Sequence, residues 1–171
     1  MMLMTLPARL IVWVLVTCSL FGCASVDAAE YRAEKPVSDV AQYFNGTLDG
    51  CGMFQSRSGK VVRRFYARIG ASGIGNQGIH GERFEYPDGT RQQRIWIVVR
   101  DGDRDTATAG DVVGTAQSQA AGNALRWSCA LALPGDDKMW NMDIDDWMFL
   151  IDERTMLSRS TMSKFGFKGG Q

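Results

Sequence analysis

The chain has 171 residues, with 19 basic and 19 acidic side chains, four cysteines and one histidine. This length is typical of a single domain, and a domain of this size folds without a metal or a disulfide. The balanced charge argues against a nucleic-acid-binding domain, because phosphate binding needs a basic surplus. A single histidine also excludes metal centres built from several histidines.

The N-terminus has the pattern of a signal peptide. Arg9 precedes an apolar run over residues 10–22, which is shorter than the roughly 20 apolar residues that a spanning helix needs. Residues 20–23 read Leu-Phe-Gly-Cys, which resembles a bacterial lipobox with Cys23 as the acylated residue. Because Ala24 rather than Asp follows, the resemblance implies sorting to the outer membrane, with the protein facing the periplasm. The alternative is ordinary secretion, with cleavage before Ala29.

These observations divide the chain into three parts. We expect a lipoprotein signal peptide over residues 1–22, a tether over 23–37 and one domain over 38–171. Membrane attachment would then depend on several acyl chains on Cys23, which hold a protein more firmly than one chain does.

Residues 36–44 predict one short helix with Ser38 as its N-cap. Apolar and polar residues then alternate, which predicts strands. About eight are expected, over 48–54, 61–69, 81–86, 91–100, 106–117, 125–133, 139–151 (one long strand or two bent ones) and 156–164. We therefore predict an all-β antiparallel meander that forms a lipocalin-like barrel.

Turn sequences separate the predicted strands. Pro-Asp-Gly at 87–89 predicts a turn between two antiparallel neighbours. Gly-Ile-Gly-Asn-Gln-Gly at 73–78 matches the letters of a dinucleotide-binding motif, but strands rather than a strand and a helix flank it. It is therefore interpreted as a hairpin turn.

The alternation also places charged residues in apolar rows. Arg63, Arg94 and Asp146 each share a strand face with large apolar side chains. An unpaired buried charge is costly, so each implies either an ion pair or a polar cavity. We expect one arginine to pair with Asp146 and the other to meet a ligand carboxylate or phosphate, unless a bulge turns either arginine outward. For Asp146 itself the favoured interpretation is structural, an ion pair that fixes the barrel register, and the alternative is an interior polar anchor for a ligand. The candidate ligand-binding residues are Arg63, Arg94, Trp96, Trp127, Trp140 and Asp146.

Two cysteines remain in the predicted domain, Cys51 and Cys129, both on predicted strands. They are candidates for one disulfide, and the alternative is two buried thiols. The Asp-rich segment at 101–105 lacks the later ligands of a calcium loop, and no Gly-x-Ser-x-Gly occurs. We therefore expect no metal, no cofactor and no catalytic residue.

Several segments resemble a known family. They read Phe-Asn-Gly at 44–46, Phe-Glu-Tyr-Pro-Asp-Gly at 84–89, Gly-Asp-Val-Val-Gly at 110–114, Asp-Asp-Trp-Met at 145–148 and Met-Ser-Lys-Phe-Gly at 162–166. In this order they are similar to domain of unknown function 3833, a family of predicted envelope lipoproteins of Gram-negative bacteria. The resemblance implies a lipocalin-like envelope lipoprotein and supplies no catalytic residues. Family members continue past Lys-Phe-Gly into another apolar strand, so the resemblance leaves the closure of this barrel open.

Three functions are compatible with this sequence. The favoured one is a barrel, anchored at the outer membrane, that binds or carries an acyl chain or another apolar molecule in the envelope. The second is a scaffold with a packed barrel that docks an envelope protein. The least favoured is an enzyme that acts through the aspartates at 143, 145 and 146 on the predicted strand over 139–151. A lined cavity would favour the first function, and a filled interior the second. No nucleic-acid partner is expected.

Overall fold

The computed structural model describes residues 26–37, 39–102, 104–135 and 137–171. The predicted signal peptide, Cys23 and the expected N-cap Ser38 lie outside these residues. No helix in the described part of the chain is long and apolar enough to cross a membrane.

The described chain consists of ten strands after two short helical turns. The turns are a 3-10 helix, Ala28–Tyr31, and α1, Val40–Tyr43. The strands are β1 (Gly46–Gln55), β2 (Val61–Ile74), β3 (Gln77–Glu85), β4 (Arg91–Asp101), β5 (Arg104–Thr108), β6 (Val112–Ala121), β7 (Ala124–Pro134), β8 (Met139–Leu150), β9 (Met156–Lys164) and β10 (Phe167–Gly170). Each strand pairs antiparallel with the next, so the all-β antiparallel meander is confirmed.

The strand count differs from the expected eight for two reasons. The predicted strand at 106–117 is two strands, because the chain turns at 109–111, where Val112 N–H donates to Ala109 O. The chain also turns again after β9 and forms the short strand β10. Residues 139–150 form one strand rather than two bent ones.

The last strand brings the sheet back to the first, so the barrel is nearly closed. Gln55 N–H donates to Gln171 O at 2.7 Å, and Gln171 N–H donates to Gln55 O at 3.2 Å. A bridge between Ser56 and Gly170 extends this contact. The closure of the barrel, which the sequence left open, is therefore made at this point.

The meander gives the barrel two distinct ends. The N-terminal end carries α1 and the connections from β2 to β3, β4 to β5, β6 to β7 and β8 to β9. The opposite end, called the distal end below, carries the connections from β1 to β2, β3 to β4, β5 to β6, β7 to β8 and β9 to β10. A strand of ten residues spans roughly 30 Å, so the two ends lie far apart.

Residues 28–34, part of the predicted tether, pack against the outside of the barrel at its N-terminal end. The Tyr31 ring lies 5.7 Å from Trp147 and 5.1 Å from Phe149, and Ala28 is fully buried. Gly122 makes this contact possible, since a Cβ built there would overlap the carbonyl oxygen of Tyr31. The carboxylate that caps α1 belongs to Asp39, which accepts from Gln42 N–H at 3.1 Å.

The interior is organised around a small apolar cluster. Trp96, Val98, Ala107 and Ala116 form its buried centre, and Trp127 and Cys129 pack against it. Most inward positions elsewhere are half-buried, and Leu125 is the largest fully buried side chain in the described part of the chain. The core is therefore sparse for a barrel of ten strands.

Candidate functional site: the barrel interior

An ion-pair cluster lies inside the barrel, formed by Glu82, Arg94 and Asp111. Glu82 on β3 and Arg94 on β4 are paired neighbours in the sheet, and the atoms Arg94 Nη1 and Glu82 Oε2 are 3.5 Å apart. Asp111 enters from the turn before β6 and accepts hydrogen bonds from Arg94 Nη2 at 2.6 Å and from Nε at 3.0 Å. We call these three residues the Arg94 cluster.

The cluster contains more acid than base. Burial raises the pKa of Glu82, and the nearby Arg94 only partly opposes that rise. Burial acts to lower the pKa of Arg94, but the hydrogen bond with Asp111 and the charge of Glu82 outweigh it, so its pKa is raised. Arg94 therefore stays charged and is shared by two carboxylates.

Asp146 adds a further carboxyl group to the interior. It lies on β8 opposite Trp127 of β7, and its Oδ1 accepts a hydrogen bond from Ser160 Oγ at 2.8 Å. Burial raises the pKa of Asp146. The charge of Asp146 also contributes to the raised pKa of Glu82, so this carboxyl group lies near the Arg94 cluster.

The other acidic residues of β8 face outward, as alternation predicts. Asp145 accepts from Arg126 Nε at 2.6 Å and from Trp147 Nε1 at 3.2 Å, and Asp143 is exposed. The three aspartates of β8 are therefore divided between the two faces of the strand, and only Asp146 reaches the interior.

Arg63 lies at the distal end instead of near Asp146. Its Nη2 donates to Asp88 Oδ2 at 3.1 Å, and its guanidinium carbon lies 3.5 Å from the centre of the Tyr86 ring. Both arginines thus have carboxylate partners, which differs from the expectation of one free arginine. The partners Asp88 and Asp111 lie in turns, where strand alternation does not predict the direction in which a side chain points.

The six predicted ligand-binding residues fall into two groups. Trp96 and Trp127 meet edge to face at 6.0 Å in the middle of the barrel, next to Arg94 and Asp146. Arg63 and Trp140 lie at the distal end, where Trp140 is 38% exposed. An aromatic group that was not predicted lies next to Arg63 and is formed by Phe54, Phe65, Phe84 and Tyr86. The alternation on β1 to β3 could have indicated it.

Open space lies at Gly50, on the inward face of β1. A Cβ built on Gly52 would collide with the Phe65 ring, which shows that Gly52 faces the interior. Gly50, two residues earlier on the same face, has nothing within 4 Å of its Cβ position. The inward face of β1 therefore leaves room for a larger group than the chain itself supplies.

A separate cleft of about 230 Å³ opens at the N-terminal end. It is lined by Phe44, His80, Arg100, Asp105 and the hairpin at 71–78. The His80 ring stacks on Phe44 at 5.3 Å, and burial lowers the pKa of His80.

The segment at 73–78 is a hairpin that joins β2 to β3, as expected, and Gly75 has φ 65° in its turn.

The candidate disulfide is not formed. Cys51 and Cys129 are both free thiols. Cys51 is exposed on the outer face of β1, whereas Cys129 packs against the interior cluster from β7. Strand positions alone could not show that the two side chains lie on opposite faces of non-adjacent strands.

No group of three or more His, Cys, Asp or Glu side chains in the described residues is arranged to hold a metal ion. In comparison with known proteins, a family profile described as a protein of unknown function (DUF3833) matches residues 17–171. The chain belongs to this family. No curated protein and no solved structure matches it.

Proposed function

We propose that the barrel binds an acyl chain or another apolar molecule in its interior. The observation that carries this proposal is the open space at Gly50, on the inward face of β1. Phe65, Phe84 and Trp127 face this interior, yet each keeps accessible surface. Barrel diameter increases with strand number, so a ten-stranded barrel has more interior to fill than an eight-stranded one.

The Arg94 cluster restricts the polar part of such a ligand. Arg94 is already matched by Glu82 and Asp111, and Asp146 adds a third carboxyl group nearby. A ligand carboxylate would meet excess acid there, whereas a hydroxyl or ammonium group could donate hydrogen bonds to it. We therefore expect a neutral or cationic headgroup rather than a fatty-acid carboxylate.

Photo-crosslinking of the full chain tests the proposal. A fatty alcohol and a fatty acid, each with a diazirine in the acyl chain, are irradiated with the protein, and labelled peptides are identified by mass spectrometry. We expect the alcohol to label peptides that contain Phe65, Phe84 or Trp127 more strongly than the acid does.

A matched pair of variants locates the binding site. Gly50→Trp should fill the interior and remove most of this labelling. Gly70→Trp places the same side chain on the outer face of β2, where its Cβ also meets nothing within 4 Å, and should leave labelling unchanged. If labelling were confined to the outer surface, or if Gly50→Trp and Gly70→Trp were labelled equally, the result would instead favour a scaffold whose barrel interior is filled.

We also propose that the chain is attached to the outer membrane through acylated Cys23. The lipobox-like residues 20–23 support this. Cys23→Ser should release the protein from the outer-membrane fraction or leave its signal peptide uncleaved. A mature N-terminus at Ala29 would show that the chain is secreted without a lipid.

A further inference from the structure

The distal end carries a group of exposed aromatic and basic side chains. Phe165 and Phe167 at the β9–β10 turn are 85% and 71% exposed. Lys164 and Lys168 lie on either side of them in the chain. Lys138 lies in the neighbouring β7–β8 turn, and Trp140 lies at the start of β8. We call these six residues the aromatic rim.

Backbone geometry gives no reason for a phenylalanine at the tip of this turn. Phe165 has φ 51° and Gly166 has φ 79°, as in the two-residue turns that favour Asn, Asp or Gly. A positive φ is unfavourable for a bulky residue, and Phe165 is the one non-glycine residue with a positive φ in the described chain. The fold would be better served by a polar residue there, so the exposed ring indicates a role outside folding.

The basic side chains are held close to the aromatic rings. Lys164 Nζ lies 3.8 Å from the centre of the Trp140 ring, and Lys138 Nζ lies 4.4 Å from it. Four of the five lysines in the chain, at 60, 138, 164 and 168, lie at the distal end. None of these four makes an ion pair with a carboxylate in the described part of the chain.

The apolar surface continues beyond the rim. The contact between Gln55 and Gln171 places the β1–β2 turn next to the β9–β10 turn. Val61 and Val62 follow that turn and are 43% and 61% exposed, and Met139 beside Trp140 is 58% exposed. Three adjacent turns thus present apolar tips together with four lysines, and Asp137 in the β7–β8 turn is the one described carboxylate in these turns.

We propose that the aromatic rim docks on an anionic phospholipid surface. Aromatic rings with an apolar body prefer the headgroup region, and lysines bury their aliphatic stems while their ammonium groups meet lipid phosphates. Each lysine near such a surface adds attraction to anionic lipid. The N-terminal 3-10 helix packs at the opposite end of the barrel, so the rim points away from the side on which the chain enters the domain.

The test uses the full chain, reconstituted from detergent into phosphatidylcholine vesicles that are fixed on beads. The apolar run at 10–22 is then already in contact with lipid and does not contribute to the readout. Fluorescent vesicles made of equal parts phosphatidylcholine and phosphatidylglycerol are added, and those retained on the beads are measured. We expect capture of these anionic vesicles, weaker capture in high salt, and little capture of neutral phosphatidylcholine vesicles.

Variants separate the apolar and the electrostatic contributions. The double variant Phe165→Asn and Phe167→Asn should lower capture about tenfold or more, because it removes two buried aromatic groups. Lys164→Gln and Lys168→Gln should each lower capture of anionic vesicles about fivefold. Ile74→Asn is the matched control, since Ile74 is 92% exposed at a hairpin of the opposite end, and capture should not change.

Three outcomes would overturn the proposal: no capture by the wild-type protein, capture that survives the double phenylalanine substitution, or equal loss with Ile74→Asn. Equal capture of neutral and anionic vesicles would also contradict it, because the lysines would then have no role. A rim that binds an envelope protein instead of lipid would give the first of these outcomes.

Discussion

Asp111 reaches Arg94 from a turn at the distal end, and three nitrogen–oxygen contacts between 2.6 and 3.0 Å join the two side chains. The pair spans β5, which is only five residues long, and connects the turn before β6 directly to β4. A charge-assisted bond of this kind fixes both the position of the turn and the rotamer of the arginine. The pair therefore holds together a part of the sheet where β5 and β6 are joined by few backbone pairs.

Replacement of Arg94 should destabilise the barrel. Arg94→Met leaves Glu82 and Asp111 without their shared cation, and it should lower the free energy of unfolding at neutral pH by about 2–3 kcal/mol. Urea denaturation followed by tryptophan fluorescence measures this change.

A second substitution tests the cause of that loss. Glu82→Gln in the Arg94→Met background should recover part of the stability, because it removes one of the carboxylates that lost its partner. Additive losses in the double variant would show that the two residues do not interact.

Relief of the positive φ at Phe165 should stabilise the protein. Phe165→Asn suits the two-residue turn and should raise the free energy of unfolding by about 1 kcal/mol. Phe167→Asn changes an exposed residue that has no positive φ and should leave the stability nearly unchanged. A drop in stability with Phe165→Asn would mean that the ring makes contacts that hold the turn.

The two cysteines should differ in their reaction with thiol reagents. Burial raises the pKa of Cys129 to about 11, so its thiolate is scarce at mildly alkaline pH, whereas Cys51 is exposed. Mass spectrometry after brief treatment with iodoacetamide should find Cys51 alkylated and Cys129 unmodified. Rapid alkylation of Cys129 would show that the interior is open to the reagent without unfolding.

The sequence predicted the strands well because most of them are long and alternate strictly. The outward position of Asp143 and Asp145 and the inward position of Asp146 followed from the same alternation. The turn at 109–111 was missed because Gly110 interrupts a weakly alternating stretch without a proline to mark it. β10 was missed because Gly169 and Gly170 have no side chains that could alternate.

The site was harder to predict than the fold. Alternation brings Arg94 into the interior, but it cannot show that turn residues such as Asp111 fold back to meet it. Pairing across a barrel depends on how the strands tilt and stagger, and a single sequence does not contain that information in any local pattern. For this reason Asp146 was expected to pair with an arginine, whereas its partner is Ser160 on the next strand.

Protonation of His80 should destabilise the N-terminal end of the barrel. Burial against Phe44 lowers the pKa of His80 below its ordinary value of 6.5, although the charge of Asp105 opposes this. As pH falls through about 6.5, the unfolded chain binds a proton before the folded chain does, so the free energy of unfolding decreases. The folded state keeps its full stability above that pH. Arg100, whose Nε lies 3.6 Å from Asp105 Oδ1, also lines the cleft.

Urea denaturation at about pH 7.5 and about pH 5.5 measures the effect, with His80→Gln as the reference that cannot titrate. Asp105 is close to His80, and burial raises the pKa of Asp105. As pH falls, the titration of Asp105 therefore increases the free energy of unfolding, which is opposite to the effect of His80. This contribution is present in both proteins. The wild-type protein should lose up to about 1 kcal/mol more than His80→Gln between the two pH values. Equal losses in the two proteins would mean that His80 takes up its proton as readily in the folded barrel as in the unfolded chain.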